Sequence, residues 1–311
     1  MISYPSWVKF MPDIMDMKEI SMKIAVLSGK GGTGKTLVSV NLAALAKESL
    51  YIDCDVDAPN LHLIGGWDSE PKRSDYYGLA KAHIDTQKCS ECDICRQNCR
   101  FDAILVEEEY KVDQYACEGC GVCEYVCPEE AIRLIPYIDG ELMLYSGEEE
   151  VFSTAQLKMG SGTSGLLVTE VKKQMRLSSE DANFAIIDGS PGIGCPVIAS
   201  LSGVDMVLIV AEPSISGISD MERIINTAEK FGAKIAVCIN KYDTNIENTE
   251  KIVDFCKKQG LPFIGRIPFD FKAVKAINDG KTIVDIDCIS GRAVKSVYEK
   301  AMALLFRKGV S

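Results

Sequence analysis

Eight of the thirteen cysteines in this 311-residue chain fall into two runs of four with the same spacing. Each run has the form C-x2-C-x2-C-x3-C, and the runs comprise Cys89, Cys92, Cys95 and Cys99, then Cys117, Cys120, Cys123 and Cys127. Thiolates are soft ligands, and spacings this short wrap one loop around the irons of a 4Fe-4S cluster. The runs therefore predict two such clusters, in a redox protein or a carrier of iron-sulfur clusters.

A zinc site is the alternative interpretation of the paired C-x2-C units. Zinc sites of this type lack the third cysteine at x2 and the fourth at x3 that both runs contain. The repeat resembles instead the two-cluster bacterial ferredoxins, in which the fourth cysteine of each run ligates the other cluster. This resemblance implies a small α+β domain with one cluster on Cys89, Cys92, Cys95 and Cys127 and another on Cys99, Cys117, Cys120 and Cys123. Arg100 departs from the ferredoxin pattern, which has proline at this position, whereas Pro128 follows the second run.

A second motif lies upstream, where an apolar run from Lys23 to Leu27 leads into a glycine-rich loop. The loop comprises Gly29, Lys30, Gly31, Gly32, Thr33, Gly34, Lys35 and Thr36. It has the P-loop pattern in the expected place, between a predicted strand and a predicted helix. In such a loop the glycines turn backbone N–H groups toward phosphates, Lys35 neutralises the β and γ oxygens, and Thr36 ligates Mg²⁺. The sequence therefore predicts a site for a nucleoside triphosphate and Mg²⁺.

The additional Lys30 makes this loop resemble the deviant Walker A motif of the MinD/Mrp/ParA family of ATPases, which includes the nitrogenase iron protein. In that family the second lysine reaches across a nucleotide-bound homodimer to the partner's phosphates. The resemblance implies that Lys30 acts with Lys35 in catalysis and that the chain dimerises on binding ATP. It also implies a P-loop α/β fold with a mostly parallel sheet covered by helices on both faces, which the alternation of apolar strands and helical patterns favours as well.

Two aspartate segments follow predicted strands and resemble the switch regions of the same family. The first ends in Asp55, and the resemblance implies that Asp55 orients the attacking water; a surface aspartate at a strand end is the alternative. The other segment is similar to Walker B and switch II, in which Asp188 holds Mg²⁺ together with Thr36. Its switch positions are Gly189, Pro191 and Gly192.

An N-K-x-D segment, Asn240 to Asp243, follows a later predicted strand and has the form by which GTPases read guanine. Within the resembled family, the asparagine at this strand end contacts adenine. A second base-binding segment of that family is matched by Pro268 and Asp270. The resemblance therefore favours ATP over GTP, and an ordinary loop is the alternative for Asp243.

Cys195 lies seven residues after Asp188, the offset at which the nitrogenase iron protein has a cluster-binding cysteine. The segment that holds that protein's other ligand contains no cysteine here, because none occurs between Cys127 and Cys195. A cluster that bridges two subunits would be one ligand short per subunit. The hypothesis is an additional metal or cluster site at the dimer seam, and the alternative is a small buried residue at a helix start.

The predicted organisation has four parts: an N-terminal extension (1–21), the first part of the ATPase domain (22–75), an inserted ferredoxin-like domain (76–140) and the second part of the ATPase domain (141–311). A net charge of -11 disfavours nucleic acid as a partner. No apolar stretch reaches the ~20 residues that span a bilayer, so stable membrane insertion is not expected. The cysteine content without a secretory signal favours metal ligation and a cytoplasmic location.

These observations define three functional hypotheses. The main one is an ATPase that couples nucleotide-driven conformational change to electron transfer through two clusters, toward a protein or metallocofactor partner that the sequence does not identify. The alternative is a carrier or assembly ATPase for iron-sulfur clusters or another metal. The third, a MinD-like positioning ATPase, would require a membrane helix or a DNA-binding patch that the sequence does not show.

Overall fold

A computed structural model describes residues 22–46, 50–59, 61, 70–147, 151–177 and 184–306. The predicted extension, residues 1–21, lies outside these ranges. The strands are β1 (Met22–Leu27), β2 (Leu50–Asp53), β3 (Lys72–Tyr77), β4 (Lys81–Ile84), β5 (Ile104–Val106), β6 (Tyr110–Val112), β7 (Ile132–Ile135), β8 (Ile138–Ser146), β9 (Val151–Leu157), β10 (Phe184–Asp188), β11 (Met206–Ala211), β12 (Lys234–Asn240) and β13 (Phe263–Ile267). The α helices are α1 (Lys35–Leu45), α2 (Ile94–Gln97), α3 (Val122–Val126), α4 (Ser164–Leu177), α5 (Cys195–Leu201), α6 (Ile215–Ala228), α7 (Ile246–Gln259), α8 (Phe271–Asn278) and α9 (Ile289–Leu305).

Among the described residues, nine strands form one sheet in the order β13-β12-β11-β1-β10-β2-β9-β8-β3. All neighbours from β13 to β9 are parallel, whereas β8 is antiparallel to both β9 and β3. The predicted mostly parallel sheet is therefore confirmed. Because β1 lies between β10 and β11, the loop after β1 and the aspartate at the end of β10 emerge side by side at the carboxyl edge, where ligands of such sheets bind.

Helices cover both faces of this sheet because its central strands are apolar on both sides. In β1, Ala25 and Leu27 face one core while Ile24 and Val26 face the other, and all four are fully buried. Helices α4, α5, α6 and α7 pack on the first core, and α1, α8 and α9 pack on the second. The predicted two-sided covering of the sheet is confirmed. None of the helices in the described ranges is long and apolar enough to cross a bilayer.

Between β3 and β8 the chain leaves the main sheet and forms a small unit, which we call the cysteine module and define as residues 78–137. Its antiparallel pairs β4–β7 and β5–β6 enclose a core of their own, flanked by the short helices α2 and α3. The predicted domain boundaries, 76 and 140, fall within β3 and β8, so the strands that carry the module belong to the main sheet. The division of the chain into domains stays a prediction.

The two halves of the cysteine module interlock. Equivalent positions are 28 residues apart, as in Cys89 and Cys117. The backbone N–H of Asp85 donates to the carbonyl of Ala131 at 2.8 Å, and the equivalent N–H of Asp113 donates to Ala103 at 2.8 Å. Each half therefore closes on the other, which brings the fourth cysteine of one run close to the first three of the other.

Candidate functional site

The phosphate-binding loop ends at Lys35, the first residue of α1, and this lysine is buried beside Asp188. Its Nζ lies 2.8 Å from Asp188 Oδ1. Thr36 Oγ1 donates to Asp188 Oδ2 at 3.0 Å, and Ser39 Oγ donates to Oδ1 at 2.6 Å. Carboxylate and hydroxyl oxygens suit Mg²⁺, so the structure brings the two predicted magnesium ligands, Thr36 and Asp188, together.

Two buried carboxylates share the single cation of Lys35. Burial alone would lower the pKa of Lys35, but the charge of Asp188 and its hydrogen bond, with smaller effects of Asp53 and Asp55, raise that pKa above its ordinary value. Asp53, the last residue of β2, is fully buried. Burial, followed by the charge of Asp188, raises the pKa of Asp53 to about 7, although Lys35 and two backbone N–H donors oppose this shift.

Two side chains of the N-K-x-D segment donate hydrogen bonds to backbone carbonyls of the phosphate loop. Asn240 Nδ2 donates to the carbonyl of Thr33 at 2.8 Å, and Lys241 Nζ donates to that of Gly32 at 3.0 Å. Gly34 has a φ of +87°, and a Cβ there would lie 2.1 Å from Asn240 Nδ2. Only glycine fits this position without strain. The structure thus gives Asn240 a role in holding the loop, while its contact with the base stays a prediction.

The two predicted base-binding segments meet at the same edge of the sheet. Asp243 Oδ1 accepts a hydrogen bond from the N–H of Phe269 at 2.8 Å. Pro268, directly after β13, is half-buried. Asp270 is the N-cap of α8 and accepts from the N–H of Lys272 at 2.9 Å. Asp270 is therefore engaged within the chain, and its role at the base stays a prediction.

The second lysine of the loop, Lys30, is held by residues that follow β11. Its Nζ lies 2.8 Å from Glu212 Oε2 and donates to the hydroxyls of Ser214 and Ser216 at 3.1 Å each. About a third of the Lys30 side chain is exposed. The predicted reach of Lys30 to a partner's phosphates would require these contacts to break.

The two predicted switch segments contact each other directly. Ser190 Oγ donates to the carbonyl of Cys54, and the N–H of Cys54 donates to Asp188 O at 2.8 Å. The N–H of Gly192 donates to the Ser28 carbonyl at 3.1 Å. Gly189 packs on β1, while Pro191 lies half-buried between these anchors. A displacement at the end of β10 would therefore reach both switches.

Asp55 lies beside the phosphate site at the start of the first switch. Its carboxyl is partly buried, and burial raises its pKa; Lys35 lowers that pKa, and the charges of Asp188 and Asp57 raise it further. A carboxyl near a lysine and the predicted magnesium ligands is suitably placed to orient a water molecule. That role stays a prediction.

Two cavities in the cysteine module are each lined by four cysteines, grouped as the ferredoxin resemblance implies. One is lined by Cys89, Cys92, Cys95 and Cys127, and the other by Cys99, Cys117, Cys120 and Cys123. They contain about 320 and 360 Å³ of empty space, including their open mouths. Within the described ranges, no three His, Cys, Asp or Glu side chains converge on a point suited to a single metal ion. Four thiols spread around a cavity fit a multi-iron cluster better than a zinc ion, and cluster binding stays a prediction.

Left-handed backbone conformations shape the cysteine loops of both halves. In the second run these positions are Gly119 and Gly121, whereas in the first they are Glu91 and Asp93, with φ of 56° and 64°. Asp93 accepts two hydrogen bonds from Arg96, at 2.6 and 2.8 Å. These hydrogen bonds hold the pKa of the Asp93 carboxyl well below its usual range. They also stabilise the left-handed conformation at Asp93, for which the second run uses Gly121.

Cys195 is exposed at the first position of α5, directly after the second switch. The interpretation of Cys195 as a buried residue is therefore wrong, although the predicted helix start is present. A Cβ at Gly165 would lie 3.0 Å from the Cβ of Cys195, so the beginning of α4 packs on this cysteine. The hypothesis of an additional metal or cluster site at Cys195 stays untested.

Sequence reasoning missed Ser39 and Asp53, although both carried a signal. Ser39 follows Lys35 by four residues, so the two share one face of α1. Asp53 is the first aspartate of the D-x-D segment whose second member is Asp55. Both residues interact with the Lys35–Asp188 pair beneath the phosphate loop.

Lys172 on α4 was also missed, and its sequence context gives no signal. Its buried Nζ donates to the carbonyls of Ala199, Ser200 and Ser202 at 2.9, 3.1 and 2.6 Å. Burial lowers the pKa of Lys172 to about 8. The contacts join α4 to the end of α5, the helix that follows the second switch.

Comparisons with known proteins agree with this geometry. The profile of the CobQ/CobB/MinD/ParA nucleotide binding domain matches residues 24–283. An uncharacterized protein of Methanocaldococcus jannaschii is 34% identical over 92% of this chain and 98% of its own length. An iron-sulfur cluster carrier protein of Pyrococcus furiosus is 26% identical over 91% of this chain and 86% of its own. The septum site-determining protein MinD of Pyrococcus horikoshii, solved with Mg-ADP, superposes with a TM-score of 0.55 at 19% identity, over 93% of this chain and 99% of that one. The chain therefore belongs to the CobQ/CobB/MinD/ParA nucleotide-binding family and is a P-loop ATPase.

Proposed function

We propose that this ATPase handles iron-sulfur clusters, with two 4Fe-4S clusters in the cysteine module and a nucleotide cycle that controls the action of the protein on a partner. The observation that carries the proposal is the pair of cavities lined by four cysteines each. Bound clusters would supply one-electron transfer. The division into an ATPase domain (22–75 and 141–311) and an inserted ferredoxin-like domain (76–140), in a cytoplasmic protein, belongs to this proposal.

The nucleotide part of the proposal assigns each side chain of the site a role. Lys35 neutralises the β and γ phosphates, Thr36 and Asp188 hold Mg²⁺, and Asp55 orients water. In a homodimer formed on ATP binding, Lys30 leaves Glu212 and contacts the partner's phosphates. Asn240, Pro268 and Asp270 surround adenine.

Delivery of a cluster or metal to an acceptor protein is the better supported of two functions for this ATPase. The supporting observation is the similarity to an iron-sulfur cluster carrier protein over 91% of the chain. Cys195 supplies the candidate for a labile site, since it is exposed and directly follows the second switch. A homodimer would bring two such cysteines to one seam, where the nucleotide state could alter their separation.

Electron transfer through the module is the second function. A cluster with four thiolate ligands is tightly held, which favours resident clusters over delivered ones in the two cavities. The ATPase part also touches the second cavity. A Cβ at Gly162, in the loop between β9 and α4, would lie 3.7 Å from Glu118 Oε2, and Glu118 lines that cavity. Movement of α4 would therefore reach the cluster side of the module.

Protein labelled with ⁵⁷Fe and purified anaerobically can test both functions, with an apo 4Fe-4S protein as acceptor. Cluster delivery predicts that label moves to the acceptor faster with MgATP than with MgADP. Cys195→Ser should abolish this movement while about eight irons stay on the chain. Electron transfer predicts that the label stays and that a redox dye oxidises dithionite-reduced protein faster with MgATP.

The two outcomes are distinguishable because one moves iron and the other moves only electrons. A chain that binds no iron after anaerobic purification would overturn the proposal as a whole. Equal rates with MgATP and MgADP in both assays would overturn the coupling to nucleotide.

A further inference from the structure

The two cysteine cavities are related by the internal repeat, but their charge environments differ. The reduction potential of a 4Fe-4S cluster depends on local charge, on hydrogen bonds to the sulfurs and on solvent exposure. Because the repeat provides an equivalent for each position, these three influences can be compared one at a time. We call the cavity of Cys89, Cys92, Cys95 and Cys127 the first set and that of Cys99, Cys117, Cys120 and Cys123 the second set.

Hydrogen bonds to sulfur do not separate the two sets. The N–H of Ala103 donates to Cys99 Sγ at 3.4 Å, and the equivalent N–H of Ala131 donates to Cys127 Sγ at 3.3 Å. Each bond stabilises the thiolate of a fourth cysteine in the same geometry. Its effect on the potential is therefore common to both sets.

Solvent exposure does not separate them either. Each set contains one buried cysteine, Cys95 or Cys117, and one exposed cysteine, Cys92 or Cys120. The remaining two cysteines of each set are half-buried. Local charge is then the influence that can make the potentials differ.

The second set has a buried cation that the first set lacks. Lys81, the first residue of β4, is 6% exposed, and its Nζ donates to the carbonyl of Cys117 at 2.5 Å. Lys81 forms no ion pair with any residue that the structure describes. Asp139 lines the same cleft, but it makes no ion pair with Lys81 and its Oδ1 accepts from Ser161. A buried charge without a direct ion pair acts strongly on its surroundings because little solvent screens it.

Three positions in the repeat are acidic where their equivalents on the side of the second set are not. Twenty-eight residues after Lys81 stands Glu109, which is exposed. Asp93 and Glu129 line the first cavity, whereas their equivalents in the second cavity are Gly121 and Phe101. The second cavity has Glu118 in its lining where the first has Ser90. Asp93 is ion-paired with Arg96, whose equivalent in the second half is Glu124, so the charge that distinguishes the second set is the buried cation of Lys81.

We propose that Lys81 makes the second set the site of the more easily reduced cluster, so that an electron entering the module settles there. Reduction adds negative charge, which a nearby cation stabilises and a carboxylate opposes. This inference rests on the clusters of the proposed function.

The second set also faces the ATPase part of the chain. A Cβ at Gly162, in the loop between β9 and α4, would lie 3.7 Å from Oε2 of Glu118, which lines the second cavity. A Cβ at Gly160, in the loop that leads to α4, would lie 3.4 Å from the ring of Tyr115. The electron would therefore rest on the side of the module that contacts the loop before α4.

The test is a dithionite titration of anaerobically purified protein, monitored by electron paramagnetic resonance. Cys92→Ser and Cys120→Ser, which each remove one exposed ligand, assign the two transitions to the first and second sets. In the wild type the second set should have the higher potential. Lys81→Met should lower that potential by at least the 59 mV that corresponds to a tenfold change in a one-electron equilibrium, and leave the first set unchanged.

Two further variants separate charge from structure. Lys81→Arg should keep the wild-type potentials because it retains the cation. Lys88→Met should change neither potential, because the Lys88 side chain is 61% exposed and solvent screens its charge. Its Nζ also lies 3.7 Å from Oδ2 of the oppositely charged Asp85. Iron content distinguishes the possible failures. An iron-free wild type would overturn the proposed function together with this inference. About eight irons per chain with a higher potential at the first set, or with unchanged potentials in Lys81→Met, would overturn this inference alone.

Discussion

The ammonium group of Lys35 lies 2.8 Å from the carboxylate of Asp188, and the side chains are 5% and 1% exposed. The first residue of α1 and the last residue of β10 meet because β1 and β10 are parallel neighbours. Asp188 therefore pairs with the lysine that we propose neutralises the phosphates. In that role Lys35 would exchange Asp188 for a phosphate at the start of the predicted second switch.

Asp188→Asn should destabilise the nucleotide-free protein by up to about 3–5 kcal/mol, because it removes the direct ion pair of the buried Lys35 cation and leaves only the more weakly acting Asp53 and Asp55. Saturating nucleotide should restore part of this loss, since its phosphates give Lys35 a new partner. Urea denaturation with and without nucleotide measures both effects.

Ser39→Ala is the matched control, because Ser39 donates to the same carboxylate but is uncharged. Ser39→Ala should lower the free energy of unfolding by about 1 kcal/mol. A loss in Asp188→Asn no larger than that in Ser39→Ala would show that the ion pair contributes little to stability.

Gly34→Ala should destabilise the phosphate loop for two separate reasons. The φ of +87° is costly for alanine, and the new Cβ would lie 2.1 Å from Asn240 Nδ2, which binds the Thr33 carbonyl. We expect a loss of at least about 1 kcal/mol in the free energy of unfolding of the nucleotide-free protein.

Gly31→Ala provides the control within the same loop. Gly31 has no atom within 4 Å of a new Cβ, and its φ is not in the left-handed region. The stability of nucleotide-free Gly31→Ala should therefore match that of the wild type within about 0.5 kcal/mol. Equal losses in the two variants would contradict the assigned role of Asn240.

The fold could be predicted where strands are apolar on both faces. β10 and β11 are largely continuous apolar runs, a pattern that predicts strands buried on both faces, and both are strands in the structure. β3 was not predicted, because five of its six residues are exposed and it lies at the edge of the sheet. β8 is antiparallel to β3 because the chain leaves the main sheet after β3 and returns to it at β8. Local periodicity does not encode the place at which the module is inserted.

The site could be predicted where side chains act on each other or on a known type of ligand. The spacing of the cysteines and the P-loop pattern led to groups that the structure brings together. Lys81 and Lys172 escaped prediction because their partners are backbone carbonyls, which carry no sequence signature. Their buried positions depend on packing between segments that are distant in the chain.

Alkylation of cysteines should report on cluster occupancy. Eight cysteines belong to the two cavities, and four of the other five, Cys54, Cys238, Cys256 and Cys288, are buried. Burial raises the pKa of Cys54 and of Cys238 to about 12, so their thiolates are scarce at pH 8. Iodoacetamide should therefore modify the anaerobically purified protein once, at Cys195, as measured by intact mass and peptide mapping.

Removal of iron with a chelator increases the number of cysteines that iodoacetamide should modify. Cys92 and Cys120 are exposed and should react once they are no longer ligands. Cys195→Ser should show no adduct before chelation. Rapid labelling at Cys92 and Cys120 before chelation, in protein that retains its iron, would contradict the assignment of these residues as ligands.

Asp53 should make the stability of the nucleotide-free protein depend on pH. Burial and the charge of Asp188 raise the pKa of Asp53 to about 7 in the folded chain, against about 3.9 when unfolded. The folded state thus binds this proton more tightly. The resulting stabilisation is complete below the unfolded pKa and is lost as pH rises toward and through 7.

Asp53→Asn removes this titration, so its unfolding temperature should fall less than that of the wild type between pH 5 and 7.5. The difference should be roughly 2–4 °C for each kcal/mol of linkage that is lost. Asp55, whose pKa is also raised by burial, titrates in the same direction, so some pH dependence should persist. The exposed Asp254 on α7 supplies the control, and Asp254→Asn should retain the wild-type profile. Parallel profiles for wild type and Asp53→Asn would mean that Asp53 is ionised beside Lys35 throughout this range. The charge of Lys35 would then be sufficient to keep both Asp53 and Asp188 ionised.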